Sequence, residues 1–294
     1  MRAAVTCLLF LSGVSLAQAP ADTFDPRSRD EVHVATLSGA LGASGPGGRT
    51  TVYVPAGRLS DQELLALAAT LNRGFTGLIA FTHSPRSWQR APSKITYYFH
   101  AGTLISHADA ERERVFIAFP RLQNGRAPLL HEAVHVLLWP EAEYLRAHPE
   151  YLDETTAFSE WLSEGLASYV AQSVAKETGI TEGDPLGWGT PEEVDAKCAA
   201  ASSTPRGGEV LPFIGAPGAP VSLMSRTLRG EVAPTFYACA LSFTKFVVEA
   251  AGIEAVVDAM AVVPAEPAIA RAAGKSIKEL RAGWLEKIGV NRAR

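Results

Sequence analysis

Two histidines and a glutamate between positions 131 and 135 are the residues best suited to chemistry. The stretch reads His131-Glu132-Ala133-Val134-His135. Positions i and i+4 share one face of a helix, so the two imidazoles can hold one zinc ion at roughly 2.0–2.1 Å. Glu132 lies beside them, where its carboxylate can accept a proton from a zinc-bound water. The spacing therefore predicts hydrolytic metal chemistry, provided that a helix and a third ligand are present.

The residues around this motif favour a helix. Pro128 suits a first-turn position, where its missing N–H breaks no hydrogen bond. Leu130, Val134 and Leu137 recur at helical spacing and predict a buried stripe. Pro140 ends the helix because proline disfavours the α conformation in the residue before it. The alternative interpretation is a core helix whose two histidines only make hydrogen bonds.

A metal site of this kind needs a third protein ligand and one position open to water. A third histidine six residues after the second is excluded, because Glu141 stands there. The strongest candidate is Glu164, in the Trp-Leu-Ser-Glu-Gly-Leu-Ala-Ser-Tyr stretch that begins at Trp161, within a helical pattern over 159–178. Gly165 beside it fits a close approach of another backbone, such as that of the first metal helix. Two further acidic residues compete for the role of third ligand: Glu154 and Glu160.

The two motifs together, His-Glu-x-x-His and Trp-x-x-Glu-Gly-x-Ala-x-Tyr, resemble those of the gluzincin metallopeptidases, in particular the peptidase MA-like group. The similarity extends from Thr51 to Ile288, with a later block at Tyr237–Phe243 and another that ends near Trp284. One position departs from the pattern: Ser168 stands where some gluzincins have an acid that orients the first histidine. That histidine must then be supported by Ser168, by another carboxylate or by a backbone carbonyl.

The resemblance implies a fold, a metal and a role for each site residue. The implied fold is α+β and zincin-like: a small mixed β-sheet with a zinc-binding active-site helix, followed by a mainly helical C-terminal subdomain. The implied cofactor is one Zn²⁺ per chain, bound by His131, His135 and Glu164, with Glu132 as general base in peptide hydrolysis. Tyr237 is the candidate donor to the oxyanion. Its rivals for that role are Tyr169, His100 and His148.

The first residues are typical of a cleaved signal peptide. Arg2 is followed by an apolar run from Ala3 to Leu16, and small residues precede the expected cut after Ala17. The run is short for a membrane span, which needs about 20 apolar residues; an uncleaved anchor is the alternative. The sequence therefore predicts a secreted or periplasmic protein with no membrane span after signal removal.

Charge and cysteine content narrow the partners and the compartment. The chain has 27 basic and 31 acidic residues and no basic run, which argues against nucleic acid and leaves a peptide or protein substrate as the expected partner. Cys198 and Cys239 are the cysteines outside the signal peptide. In an oxidising compartment they are expected to form a disulfide, with two free thiols as the alternative.

The sequence predicts one long loop and a division of the chain into four segments. Residues 181–233, rich in Pro and Gly, are expected to form a long loop that acts as a lid, a binding loop or an insertion. The predicted boundaries are a signal peptide at 1–17, a flexible N-terminal segment at 18–50, an N-terminal α/β subdomain at 51–140 that ends in the metal-binding helix, and a mainly helical subdomain at 141–294 that carries Glu164.

Local patterns predict the elements of the first subdomain. Strands are expected at 94–100 and 115–119, with 107–114 between them as a turn or short exposed segment. The strand at 115–119 is a candidate cleft edge on which an extended peptide could pair, or else an ordinary edge strand. A capping box at Ser60–Glu63 predicts the start of a helix that runs to Gly74.

Two interpretations compete with catalysis. The first is an exported, zinc-stabilised binding protein of the same fold that has lost its activity. The second is a structural protein without metal. The presence of Glu132 favours the enzyme, because metal binding requires the ligands but not the base.

Overall fold

The computed structural model describes most of the chain in eight stretches. The expected signal peptide, His148 and Glu154 lie outside the described residues. The part of the chain that is described combines a β-sheet with many helices and is α+β, as predicted. The described stretches are 32–39, 48–82, 95–102, 106–138, 159–184, 189–218, 232–262 and 264–290.

One mixed sheet of five strands forms one side of the fold, in the spatial order β1-β2-β3-β5-β4. β2, β3 and β5 run parallel, whereas β1 and β4 pair antiparallel at the two edges. The first strand lies within the segment that was expected to be flexible; its backbone pairs with β2 along its whole length. The strands are β1 (Val32–Gly39), β2 (Gly48–Pro55), β3 (Ile95–His100), β4 (His107–Asp109) and β5 (Arg114–Ala118).

Among the described strands, β4 forms this edge of the sheet, and the expectation that residues 115–119 form it is wrong. β5 pairs with β3 on one side and with β4 on the other. The polar residues 107–114, expected to be a turn or exposed segment, form a hairpin through a 3-10 helix at Ala110–Arg112. Asp109 closes this turn by accepting a hydrogen bond from the backbone N–H of Arg112 at 3.3 Å. The hairpin gives β5 a second neighbour and moves the edge to β4.

The helices of the described residues pack on one face of the sheet and on one another. A core of buried apolar side chains joins the sheet, α1 and the C-terminal helices. The helices are α1 (Asp61–Thr82), α2 (Phe119–Gln123), α3 (His131–Leu138), α4 (Glu160–Thr178), α5 (Val194–Ser202), α6 (Pro205–Val210), α7 (Ala233–Ala251), α8 (Ile253–Ala259), α9 (Glu266–Ala273) and α10 (Ile277–Lys287).

Helix α1 begins at the predicted capping box and continues past its predicted end. Ser60 and Glu63 exchange hydrogen bonds between side chain and backbone. Gly74 was expected to end the helix but lies inside it. A Cβ at this position would come within 2.6 Å of Leu130 Cδ2 and 2.8 Å of Ile180 Cδ1. The glycine therefore allows close packing rather than chain reversal. α1 is long and apolar enough to span a membrane, but its apolar face is part of the core.

The long loop expected over 181–233 contains helical structure in its described part. Helices α5 and α6 and a short 3-10 helix at Leu211–Phe213 occupy it. Val194 and Cys198 of α5 are fully buried, and the Cys198–Cys239 disulfide links α5 to α7. Burial of these small apolar side chains and the covalent link stabilise short helices that the Pro and Gly content argued against. The predicted disulfide is confirmed.

Candidate metal centre

Three side chains from two helices meet in the interior. His131 and His135 project from the same face of α3, and Glu164 faces them from the second turn of α4. His131 Nε2 lies 3.1 Å from Glu164 Oε2 and 3.2 Å from His135 Nε2, and the third separation, His135 Nε2 to Glu164 Oε2, is 3.6 Å. His131 and Glu164 are buried, and His135 is largely so.

The spacing of the three ligand atoms fits a metal ion. Ligand bonds of roughly 2.0–2.1 Å in a tetrahedral site place neighbouring ligand atoms about 3.3–3.4 Å apart. The observed separations of 3.1, 3.2 and 3.6 Å bracket that value. Two imidazole nitrogens and one carboxylate oxygen are also a common donor set for transition metals. The group His131, His135 and Glu164 is therefore positioned to bind one metal ion.

Two serine hydroxyls orient the imidazole rings. Ser168 Oγ lies 3.2 Å from His131 Nδ1, and Ser163 Oγ lies 3.5 Å from His135 Nδ1. When a metal occupies both Nε2 atoms, each Nδ1 carries the ring proton and donates a hydrogen bond to its serine. Of the three supports considered for the first histidine, the structure selects Ser168. Ser163 was not predicted as a site residue; its one signal in the sequence is its position directly before Glu164.

Gly165 allows a helix other than the expected one to approach the third ligand. A Cβ at this position would lie 2.2 Å from Thr244 Oγ1 and 2.5 Å from Ala240 O, both on α7. The expectation of a close approach is correct, but the neighbour is α7 and not the first metal helix. This contact brings the N-terminal part of α7, which carries Tyr237, against the turn of α4 that carries Glu164.

The two acidic residues of the motifs have opposite electrostatics. Burial raises the pKa of Glu132, although His131 and His135 act to lower it. Burial would also raise the pKa of Glu164, but His135 and the hydrogen bonds of both histidines hold this pKa far below its usual range. Glu164 is therefore an ionised carboxylate suited to a ligand, whereas Glu132 is a buried carboxyl with an increased affinity for a proton.

Tyr237 lies beside the first histidine of the metal group. Its ring is 6.2 Å from that of His131, and its hydroxyl hydrogen-bonds to Glu164. Burial, followed by the charges of Glu164 and Glu132, raises the pKa of Tyr237 well above its usual value. The hydroxyl therefore keeps its proton and can donate it in a hydrogen bond.

The rival donors lie elsewhere or outside the described residues. Tyr169 packs its ring against Phe81, and Glu249 is the charge that acts on it. His100 is buried at the end of β3. Burial, followed by the charges of His107 and Arg121, lowers its pKa. Of the three ring-bearing candidates in the described part of the chain, Tyr237 is therefore the one in contact with the metal group.

Glu160, a competing third ligand, is buried one turn before Glu164. The potential metal group found among the described residues contains Glu164 and not Glu160. Glu160 instead contributes to the negative potential around Tyr237. The structure thus brings Glu164 to the two histidines and leaves Glu160 beside the centre.

Comparison of the chain with family models, with curated proteins and with solved structures finds no match. The class of the site accordingly follows from its own geometry. It is a buried centre of two histidines and one glutamate on two packed helices, compatible with an enzyme that binds one metal ion.

Proposed function

We propose that the protein is an exported, zinc-dependent peptidase of the gluzincin type. The observation that carries the proposal is the arrangement of four acidic and imidazole groups: three converging ligand atoms, with Glu132 buried on the same short helix as both histidines. Zinc is the metal favoured by two imidazoles and a carboxylate at tetrahedral spacing. Export is inferred from the signal-like residues 1–17.

Glu132 acts as general base and then as general acid. When bound, zinc lowers the pKa of a coordinated water to roughly 7 and polarises the scissile carbonyl. Glu132 accepts the proton of the attacking water and delivers it to the leaving amine. Its raised pKa suits this role, because a carboxyl that holds protons more tightly is both a stronger base and an acid closer to neutrality.

Tyr237 stabilises the oxyanion that develops when water attacks the carbonyl. Its hydroxyl lies beside Glu164 and remains protonated because its pKa is raised. A neutral donor fixed in a buried site stabilises negative charge without having to reorganise.

Substrate binding is assigned to the edge strand β4, which packs against α3. An extended peptide can add as a further strand to an edge of this kind.

The proposal is tested by metal analysis and peptide hydrolysis on the same preparation. We expect one zinc per chain and cleavage of casein or a quenched fluorescent peptide, abolished by a chelator and restored by zinc. Glu164→Ala should lose both metal and activity, whereas the matched control Glu160→Ala should keep the metal. Full zinc occupancy and activity in Glu164→Ala would overturn the ligand assignment. A zinc-loaded parent that cleaves no peptide would favour the binding protein instead.

A further inference from the structure

A half-buried glutamate that is not part of the metal group binds the start of helix α3. Glu182 Oε2 accepts a hydrogen bond from the backbone N–H of Leu130 at 2.7 Å, and Glu182 Oε1 accepts one from the N–H of His131 at 3.0 Å. The first N–H groups of a helix have no partner within the helix. Here two of them are bound by one side chain from more than fifty positions along the chain.

The segment that carries Glu182 is itself anchored beside the metal helix. Gly183 N–H donates to Ala127 O at 2.8 Å, and a Cβ on Gly183 would lie 2.2 Å from the carbonyl carbon of Arg126. Ile180 is buried directly after α4. The C-terminal extension of α4 is therefore packed against the loop that enters α3. One continuous segment, residues 160–183, contains both the third ligand and this contact.

A second side chain, this one fully buried, supports the same turn. The hydroxyl of Tyr97, on β3, donates to Leu129 O at 3.1 Å. The three consecutive residues Leu129, Leu130 and His131 are thus each held by a side chain from another element. The described part of helix α3 has eight residues, and a helix of that length is not stable without tertiary contacts. The position of its first turn consequently depends on these hydrogen bonds.

We propose that Glu182 is a positioning residue for the metal centre. By binding the N–H groups of Leu130 and His131, it sets the position of the first turn of α3 and thereby directs His131 Nε2 toward Glu164. His131 is the first residue of α3, so the backbone group that Glu182 holds belongs to the ligand itself. The inference rests on the metal-binding part of the proposed function and does not require peptidase activity.

The role of Glu182 lies in hydrogen-bond acceptance. Its carboxyl group keeps acceptor oxygens in either protonation state. Glu182→Gln retains the shape but replaces one acceptor oxygen by an NH₂ group, which cannot accept from a backbone N–H. Glu182→Asp keeps both acceptor oxygens on a shorter side chain. The two variants therefore separate the number of acceptors from their reach.

The test measures metal binding and ligand geometry rather than activity. Zinc affinity is obtained by competition with a chromogenic chelator, and the visible absorption of the Co²⁺-loaded protein reports the coordination geometry. We expect Glu182→Gln to weaken zinc binding by about 10–100-fold, the usual effect of removing a residue that orients a ligand, and to change the cobalt spectrum. Glu182→Asp should recover part of the affinity.

Glu279 provides the matched control. Its carboxylate also binds a backbone N–H at a helix start, accepting from Ser276 N–H at 2.7 Å in the local capping box of α10. Glu279→Gln should lower thermal stability and leave zinc affinity and the cobalt spectrum unchanged. Parent-like affinity and spectrum in folded Glu182→Gln and Glu182→Asp would overturn the proposal and reduce Glu182 to a structural cap. A parent that binds cobalt but cleaves no peptide would contradict the peptidase function alone.

Discussion

Glu132 and Glu164 are both buried carboxyl groups of one centre, yet their surroundings push their pKa values in opposite directions. At Glu132 burial has the largest effect on the pKa, and the two histidines lower this pKa through their charges. At Glu164 the histidine contacts outweigh burial. Pairs of titratable groups whose pKa values are driven apart are typical of sites that divide the roles of ligand, base and acid. Two chemically identical side chains are therefore suited to different roles, Glu164 to that of a ligand and Glu132 to that of a base.

The role of Glu132 is tested by Glu132→Gln. The amide keeps the size of the side chain but cannot accept the proton of the attacking water. We expect the variant to fold and to bind zinc as the parent does, while peptide hydrolysis falls by about 10²–10⁴-fold. Metal content and turnover are measured on the same sample. Near-parental turnover in a fully zinc-loaded Glu132→Gln protein would exclude Glu132 as the base.

Tyr237→Phe tests the oxyanion donor. The change keeps the ring beside His131 and removes only the hydroxyl next to Glu164. We expect kcat at saturating substrate to fall by about 10²–10³-fold with little change in KM, because the donor acts mainly in the transition state. Tyr169→Phe is the matched control and should retain parental kcat. The reverse result would transfer the role to Tyr169.

At the scale of elements, α4 is the central helix of the site. It packs against α3 through the metal group and against α7 at Gly165, and its residues from Glu160 to Ser168 are all buried. A helix that contacts two others at one turn needs a small residue where the backbones meet. Gly165 meets that need, so the approach of α7 and the position of Tyr237 depend on it.

Gly165→Ala should therefore be destabilising even though alanine favours helices. The added Cβ would lie 2.2 Å from Thr244 Oγ1 and 2.5 Å from Ala240 O, and overpacking of this kind costs about 1–3 kcal/mol. Gly208→Ala, on helix α6, is the control, because nothing lies within 4 Å of its Cβ. Denaturant unfolding should show a lower midpoint for the first variant and an equal or higher midpoint for the second. Equal midpoints for Gly165→Ala and the parent would contradict the close packing of α4 and α7.

At the scale of the whole molecule, the Cys198–Cys239 disulfide connects the helices of the 181–233 region to the core. Both cysteines are fully buried, and they are separated by 41 positions in the chain. Cys239 lies two residues after Tyr237 on α7. The disulfide therefore links α5 to α7, the helix that carries Tyr237.

Removal of this bond should lower global stability. A loop of this size predicts a loss of about 2–5 kcal/mol in the free energy of unfolding for the double variant Cys198→Ala with Cys239→Ala. Chemical denaturation of the parent with and without reductant supplies an independent comparison. The reduced parent and the double variant should unfold at similar midpoints, both below that of the oxidised parent. Coinciding midpoints for all three would mean that the bond contributes nothing to stability.

Several features of this protein are specified by a few neighbouring residues and could be predicted before the fold was known. The four-residue spacing places His131 and His135 on one helical face, and the capping box starts α1 at Ser60. The α+β class follows from the local strand and helix patterns, and the two cysteines after residue 17 indicated the disulfide. Each of these rests on backbone geometry or composition, which short stretches of sequence carry directly.

Which distant groups meet depends on the packing of the whole fold. It brought Glu164 rather than Glu160 to the histidines, placed Tyr237 rather than Tyr169 beside them, and made β4 the edge of the sheet. It also placed Glu182 at the start of α3. These outcomes depend on how helices and strands far apart in sequence pack together, and no local periodicity records which faces will touch.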